Sequence, residues 1–421
     1  MPNNLSSNIT RKVARVFLDA FEGSRVLTKT VDTQLLSNKF NPSSGSTVDF
    51  KRPHDYNTIR TSGGNISAST KSDIIAGKAT GTVQNYFTVA TEWTNLQEAI
   101  ELDQLEDILK PMAARIVTDL EVDFAAYMYK NCNLSIGTPG TAVDAWSDVA
   151  AAGSLLQEIG APMTDTYYVM NPFTQQALAS ATNGLYSAEK LVTSAWQKAQ
   201  ISTPFAGLQG ISSNCLATYT SGTATDRAGT LSATPTATYV AHKDTMIQDI
   251  AVTAFSANLT IKAGEIVEVT GRFRIGISSR QVVLDNTGAQ IKWRGVVTED
   301  VTLGASGNGT LKVAGPAIFE ANGQYNTVNS ALTSGDVITV LGSASTVYKP
   351  NLFYYKQAFG LGTVKLPKLY EGDTIATTED GMSIRITKYS DGDANTQKIR
   401  FDLLPAYATF NPFFAGQGFG I

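Results

Sequence analysis

The sequence predicts an α+β chain interrupted by an all-β insertion, and three observations predict it. Leu102, Leu105, Leu109, Met112, Ile116, Leu120 and Phe124 recur at intervals of three and four, which lays one apolar stripe along a helix. Residues 146 to 219 alternate helical and strand patterns, as a single α/β layer does. Residues 222 to 345 lose helical periodicity and pass through short strand candidates separated by turn signals, the texture of a barrel or sandwich.

From the N-terminus, residues 7 to 22 form an amphipathic helix. Ile9, Val13, Val16, Phe17 and Ala20 share one face, with Arg11, Arg15, Asp19 and Glu22 opposite. That face must lie on its own domain or on a partner. Residues 41 to 83 are rich in Gly, Ser, Thr and Asn with few large apolar side chains, so they read as a long hairpin-like excursion. Its basic residues Lys51, Arg52, Arg60, Lys71 and Lys78 are spread out, which suits contacts to acidic protein surfaces better than a phosphate cradle.

In "EDILKPMAARIVTDLEVDF", from Glu106, the proline lacks a donor and clashes with the preceding turn. One helix is therefore expected near 96 to 109 and a second from 111 to about 131, a spine of roughly 30 Å at 1.5 Å per residue. Glu106 with Lys110 and Arg115 with Asp119 are spaced for i,i+4 pairing, while Asp119 and Asp123 stack as like charges on a polar face. A solvated or subunit-facing rod follows, not a carboxylate site.

Beyond the spine, "WSDVAAAGSLLQEIGA", "PFTQQALASATN" and "SAEKLVTSAWQKAQ" are helical and "TYYVMNP" is a buried strand. The strand candidates of the insertion are "ATYVAH", "DIAVTAF", "NLTIKA", "EIVEVTG", "QIKWRGVVT", "GTLKVAG" and "DVITVLG". Near the C-terminus Ile384 and Ile386 alternate with Arg385 and Thr387. Ile399, Phe401 and Leu403 alternate with Lys398, Arg400 and Asp402, and Asp391-Gly392 marks the turn of a hairpin.

Composition narrows the function. The chain has 421 residues, 43% of them hydrophobic and only 17% charged, against roughly 25% charged in ordinary soluble domains. A net charge of −4 with no basic cluster argues against direct, salt-sensitive nucleic-acid binding. The polar start "MPNNLSSNIT" is unlike a signal peptide, and no apolar run is long enough to span a membrane. Cys132 and Cys215 read as reduced, buried thiols, and the two histidines, His54 and His242, supply no metal-site spacing.

Catalytic motifs do not survive inspection. Asp391, Asp393, Asn395 and Asp402 imitate a calcium loop, but Thr396 stands where glycine is needed and strands flank it. "GLGTVK" from Gly360 lacks the third glycine of a dinucleotide loop, and P-loop, nucleophile-elbow and HExxH patterns are missing. No catalytic, cofactor or metal residue is expected, and no paired carboxylates stand out.

The stretches "FKRPHDYNTIRT", "GKATGTVQNYFTVATEW", "RIVTDLE", "KPNLFYYKQAFGLGTVKLPKL" and "YSDGDANTQKIRFDLLPAY" resemble the major capsid (coat) proteins of short-tailed double-stranded DNA bacteriophages. The likeness covers nearly the whole chain and is strongest outside 222 to 345. It implies an α+β tailed-phage major capsid fold. Its parts would be an N-terminal arm (1–38), an extended loop (39–83), a peripheral domain with the spine helix (84–145), an axial domain in two parts (146–221 and 346–394), an inserted all-β barrel domain (222–345), and a C-terminal return to the peripheral domain (395–421).

The resemblance implies a structural subunit, not an enzyme, that self-assembles with a separate scaffolding protein into an icosahedral shell of pentamers and hexamers. Such a procapsid expands as a motor drives double-stranded DNA inside. Further copies of the chain, the scaffolding protein and a portal at one vertex would be its partners. DNA would be contacted weakly and non-specifically, because a basic lining would hold it through counterion release. Cofactors and membranes play no part, and assembly in the bacterial cytoplasm yields a virion capsid. Assembly contacts are expected at Val13, Val16 and Phe17 in the arm and at Arg52, Arg60, Lys71 and Lys78 in the loop. With the loop beginning near Asn41, no room remains for a cleaved scaffold segment, and the helix at 7 to 22 is the expected element of change on maturation. Lys71 and Lys78 lack identifiable Asn and Glu partners, so stabilisation should be non-covalent. The alternatives are a nanocompartment shell of the same fold and a monomeric β-rich binding module.

Overall fold

The computed structural model describes residues 6–36, 45–94, 105–182, 205–370 and 373–421. The chain divides into two compact units. One comprises Met1–Asp49, Thr80–Ala125 and Phe359–Thr409, the other Phe50–Ala79, Ala126–Ala358 and Phe410–Ile421.

In the first unit the arm forms a helix over Ser6–Ser24. Ala14, Phe17 and Phe21 are buried and Arg15 and Asp19 exposed, the face that the sequence pattern marks. Phe17 stacks on Phe401 with ring centroids 4.1 Å apart and planes 7° from parallel. The greasy face of the arm thus packs on its own unit, and Leu27, Val31 and Leu35 continue that burial.

The spine is one helix, Leu105–Lys130, with Pro111 inside it. The break expected at Pro111, with Lys110 displaced, does not occur: the end of the first helix expected near 96 to 109 is the start of this one, and its part before Leu105 lies outside the described residues. At 26 residues the helix runs about 39 Å. Pro111 sits in the second turn and forfeits one hydrogen bond, a cost of about 3 kcal/mol. Leu109, Met112, Ile116, Leu120 and Phe124 are all buried along the stripe. Each contributes about 1.5–3 kcal/mol of apolar burial, so packing outweighs the proline.

An antiparallel sheet of the same unit runs Thr374–Thr377, Ser383–Asp391, Thr396–Leu403, Phe87–Thr94 in spatial order. The expected C-terminal hairpin is present, with Asp391 opposite Thr396. Asp391 Oδ1 accepts from the amides of Asp393 and Ala394, and Asn395 takes φ +50°, which together make the corner. The extended loop springs from strands Thr47–Lys51 and Lys78–Val83, which join Pro405–Thr409 and Phe359–Thr363 in a second sheet.

In the second unit a mixed five-stranded sheet has the order Leu134–Ile136, Ala415–Gly418, Asn351–Tyr355, Thr166–Met170, Gln209–Ser212. Helices Trp146–Ile159 and Pro172–Thr182 accompany it as expected. The helix expected at "SAEKLVTSAWQKAQ" lies outside the described residues.

The insertion is a closed antiparallel barrel. Around it run Ile266–Phe273, Lys292–Val297, Gly309–Ala314, Ile247–Thr253, Ala228–Leu231 and Val337–Val340, which returns to the first. Trp293, Ile250, Val252, Leu311, Val313 and Ile338 fill its interior. The chain enters and leaves through a two-stranded stem in which Thr220 faces Val347 and Tyr219 faces Tyr348.

Two strand readings fail. "ATYVAH" holds a helical turn, Tyr239–His242, because Tyr239 and His242 are the buried pair and their spacing of three suits a turn. The strand Ala228–Leu231 was missed, its "AGTL" having little apolar signal.

Trp293 is wholly buried, and its indole nitrogen has no hydrogen-bond partner among the described residues. Trp293→Ala is expected to destabilise the barrel by about 3–5 kcal/mol. Trp293→Phe should cost less than half as much, since no hydrogen bond is lost. Urea unfolding followed by circular dichroism checks both.

Candidate assembly surfaces and the buried carboxylates behind them

Several buried acids of this chain gather donors from other segments. Asp402 is fully buried. Its Oδ2 accepts from Arg385 Nη2 at 2.7 Å and Nε at 3.2 Å, and its Oδ1 from Arg400 Nε and Thr88 Oγ1, each at 2.6 Å. Burial pushes the Asp402 pKa up, but these donors outweigh it and hold the carboxyl below its ordinary value. The sheet is thus covered on both faces here, since Arg385, Thr387 and Asp402 are buried as well as Ile384, Ile386 and Phe401.

Among the spine acids Glu121 departs from the solvated or subunit-facing stripe expected. Glu121 is buried, and its Oε1 accepts from the Val26 amide at 2.6 Å and from the Thr28 amide and hydroxyl at 3.2 Å. Asp123 accepts from the Tyr407 hydroxyl at 2.8 Å. Arg115 and Asp119 do form the expected i,i+4 pair on the exposed side, at 3.0 Å. Arg25, also buried, pairs with Asp380 at 2.7 Å. Burial opposes the ionisation of Asp380, yet Thr378 and Arg25 bring its pKa below the usual value.

In the second unit Glu265 is buried and gathers Arg227 Nη2 at 2.5 Å, the Lys262 amide at 2.5 Å and the Gly222 amide at 3.1 Å. Arg274 is buried and, among the described residues, has no carboxylate partner. It donates to Asn133 Oδ1 at 2.6 Å and the Arg294 carbonyl at 2.8 Å, and burial, then the neighbouring Arg294, push its pKa down to about 9.

The residues expected at assembly contacts separate into two groups. Phe17 and Arg52 are buried and serve the packing of their own chain. Arg52 donates from Nε to the Lys78 carbonyl at 3.0 Å and from Nη1 to the Phe410 carbonyl, and burial pushes its pKa down to about 10. It ties off the root of the loop. Arg60, Lys71 and Lys78 are exposed, and Val16 is half-buried. The side chain of Val13 lies outside the described residues. Sequence reasoning missed the apolar members of this surface: Ile74 is 76% exposed and Tyr56 54%, with Ile66 also exposed on the loop and Trp146 and Phe173 elsewhere in the unit. Isolated apolar residues in a Gly/Ser-rich stretch carry no periodic signal to find them by.

Among the described residues no group of three or more His, Cys, Asp or Glu could hold a metal. Asp391 is engaged in its turn and Asp402 with its arginines, so the calcium-like spacing does not converge. Cys132 and Cys215 are buried and not joined in a disulfide, and burial pushes the Cys132 thiol up to about 12.

The chain is 43% identical, over the full length of both, to a "Major capsid protein" of Acyrthosiphon pisum secondary endosymbiont phage 1. Among solved structures it is similar to one of Mycobacterium phage Che8, with 10% identity over 93% of this chain and 90% of that one and a TM-score of 0.46. A second, titled "Capsid of Ralstonia phage GP4", shares 7% identity over 94% and 88% with a TM-score of 0.44. The class is that of a bacteriophage major capsid protein, a structural shell component and not an enzyme. The chain belongs to the P22 coat protein family, whose model, described as P22 coat protein, gene protein 5, matches residues 1–420.

Asp402 binds protons less readily folded than unfolded, so its contribution to stability is present above the unfolded carboxylate pKa, about 4. It is lost as pH falls through the lower folded value. The urea midpoint of the first unit should therefore drop below about pH 4. Arg385→Ala, which strips a buried charge of its partner, should cost about 3–5 kcal/mol at pH 7 and much less at pH 2. Urea titrations across pH measure both.

Proposed function

We propose that this capsid protein is the repeating subunit of an icosahedral shell. Pentamers and hexamers of it would assemble on a separate scaffolding protein in the bacterial cytoplasm, leave one vertex to a portal, and enclose packaged double-stranded DNA. The observation that carries this reading is the extended loop. Between Arg52 and Gly77 the chain leaves its sheet and exposes Tyr56, Ile66 and Ile74 together with Arg60 and Lys71. Apolar side chains rimmed by charge mark an interaction surface, and a neighbouring copy is the partner that repeats with the loop.

Arg60, Lys71 and Lys78 are the proposed loop contacts, with Val13 and Val16 in the arm. Phe17 and Arg52 support these surfaces from inside. The net charge of −4 suits a wall that does not grip DNA, so packaged DNA touches it weakly and without sequence preference.

The test is Arg60→Glu with Lys71→Glu. Purified subunit should keep its thermal midpoint within about 2 °C, since exposed charges contribute little to folding. Co-expressed with its scaffold, it should yield at least about tenfold fewer shells by electron microscopy and light scattering, because like-charge contacts cost several kcal/mol. Wild-type protein that stays a single 44.9 kDa species with scaffold present, or a doubly reversed variant assembling at wild-type yield, would overturn the loop's role.

A further inference from the structure

The root of the extended loop is held on both limbs by the inserted domain's flank, all within the second unit. On the outgoing limb Asp55 forms an ion pair with Arg280, and its amide donates to the Tyr325 hydroxyl at 3.2 Å. Asn57 Nδ2 donates to the Asn322 carbonyl at 2.6 Å. On the returning limb the Asp73 carbonyl accepts from Gln324 Nε2 at 2.7 Å. The limbs are tied to each other where the Asn57 amide donates to Ser72 Oγ at 2.8 Å. Past these points the hydrogen bonds of the tip, among the described residues, run within it, from Ser67 to Asn65 and from Ser69 to Ile66.

The surface that does the holding is built stiff. Asn326 closes the 320–326 turn by accepting from the Glu320 amide at 2.8 Å and donating to the Glu320 carbonyl at 2.9 Å. Tyr325 stacks on Tyr239 at 3.6 Å. The segment bearing Arg280 is pinned to the end of helix Trp146–Ile159 through the Ile277 amide and the Ile159 carbonyl at 3.1 Å. At Gly160 an added Cβ would lie 2.4 Å from Ser278 Oγ, so the approach admits only glycine. One of the gripping residues, Arg280 at φ +60°, takes the left-handed backbone that non-glycine residues rarely adopt, while Asn322 at φ +58° takes it as asparagine readily does. Strain like that at Arg280 persists where the surroundings over-determine a conformation, and it gathers at sites with a task.

We propose that Arg280 and the 320–326 turn form a docking seat for the chain's own extended loop, and that this seat fixes the angle at which the loop leaves the subunit. The inserted domain then acts on assembly from within its own chain, by aiming the loop. Its consequence for shells rests on the reading of the loop as the assembly element, whereas its consequence for the isolated subunit does not.

The test is a triple variant, Arg280→Asn, Gln324→Ala and Tyr325→Phe. Asparagine tolerates the left-handed backbone at 280, and phenylalanine keeps the stack on Tyr239. In purified wild-type and variant subunit, amide exchange is followed by mass spectrometry over 53–75 and over the barrel strands 247–253 and 309–314. Exchange of the loop root, Asp55 and Asn57 included, should accelerate about tenfold or more, as expected when one ion pair and two neutral hydrogen bonds are lost, with the barrel strands unchanged. Wild-type exchange in the loop would overturn the seat. So would equal acceleration in the barrel, which would make these side chains props of the barrel itself. In co-expression with scaffold, the variant should give misshapen or open shells; loosened loops with normal shells would leave the seat standing and sink the loop's part in assembly.

Discussion

A carboxylate taken out of water must be met by donors, and this chain meets that constraint by making its buried acids into junctions. Left bare, such a group costs several kcal/mol or gives up its charge. Asp402 satisfies the requirement with two guanidinium groups and a threonine hydroxyl, Glu121 with two amides and a hydroxyl, and Glu265 with an arginine and two amides. Each draws segments distant in sequence to one point. Glu121 fixes how the arm turns onto the spine, and Asp402 fixes strand Phe87–Thr94 against the C-terminal hairpin. Hydrophobic burial supplies most of the driving force, but it is tolerant of slippage; these junctions are not, because each donor has one geometry.

This use of acids bears on the low charge of the chain. With only 17% charged residues and several of those turned inward, the outside is left to Gly, Ser, Thr and scattered apolar side chains such as Ile74, Phe173 and Trp146. Such a surface is poorly suited to standing alone in water and well suited to lying against more protein. Membership of a capsid family gives that composition its sense: charge at a repeated contact is repeated too, and every unmatched copy would be desolvated many times over in one shell.

Much of this was legible beforehand. The stripe from Leu109 to Phe124 announced the spine, since a 3.6-residue period has few other causes, and the loss of that period after residue 222 announced the barrel. The C-terminal hairpin was readable from its alternation and its turn signal, but not its register: a tight corner at Asp391-Gly392 would pair the strands differently, whereas the structure sets Asp391 opposite Thr396 and so Arg385 opposite Asp402. Pro111 misled because its cost is local and visible while the burial that offsets it is tertiary. Tyr239 to His242 misled because four residues cannot separate a period of two from one of three. The root of the loop was legible only as composition; that Arg52 ties it off and Asp55 anchors it depends on partners more than 200 residues away, which no local pattern encodes.

The inserted domain obeys a different economy from the rest. A closed barrel has no free edge, and in a protein meant to meet many copies of itself an open edge would invite strand pairing wherever two subunits drift together. The barrel's ends also cost little to bring together. Ala228 sits opposite Thr339 in neighbouring strands, and the stem beneath them is itself paired, Thr220 to Val347 and Tyr219 to Tyr348. The surrounding sheet therefore meets a short two-stranded stem, and the entropy of closing the long intervening chain is offset inside the barrel's own core. Such an insertion can be large without disturbing the sheet it interrupts, and its outer turns are free to take on work for the host fold. The turns that carry Arg280 and Asn322, which bond to the root of the extended loop, are such turns.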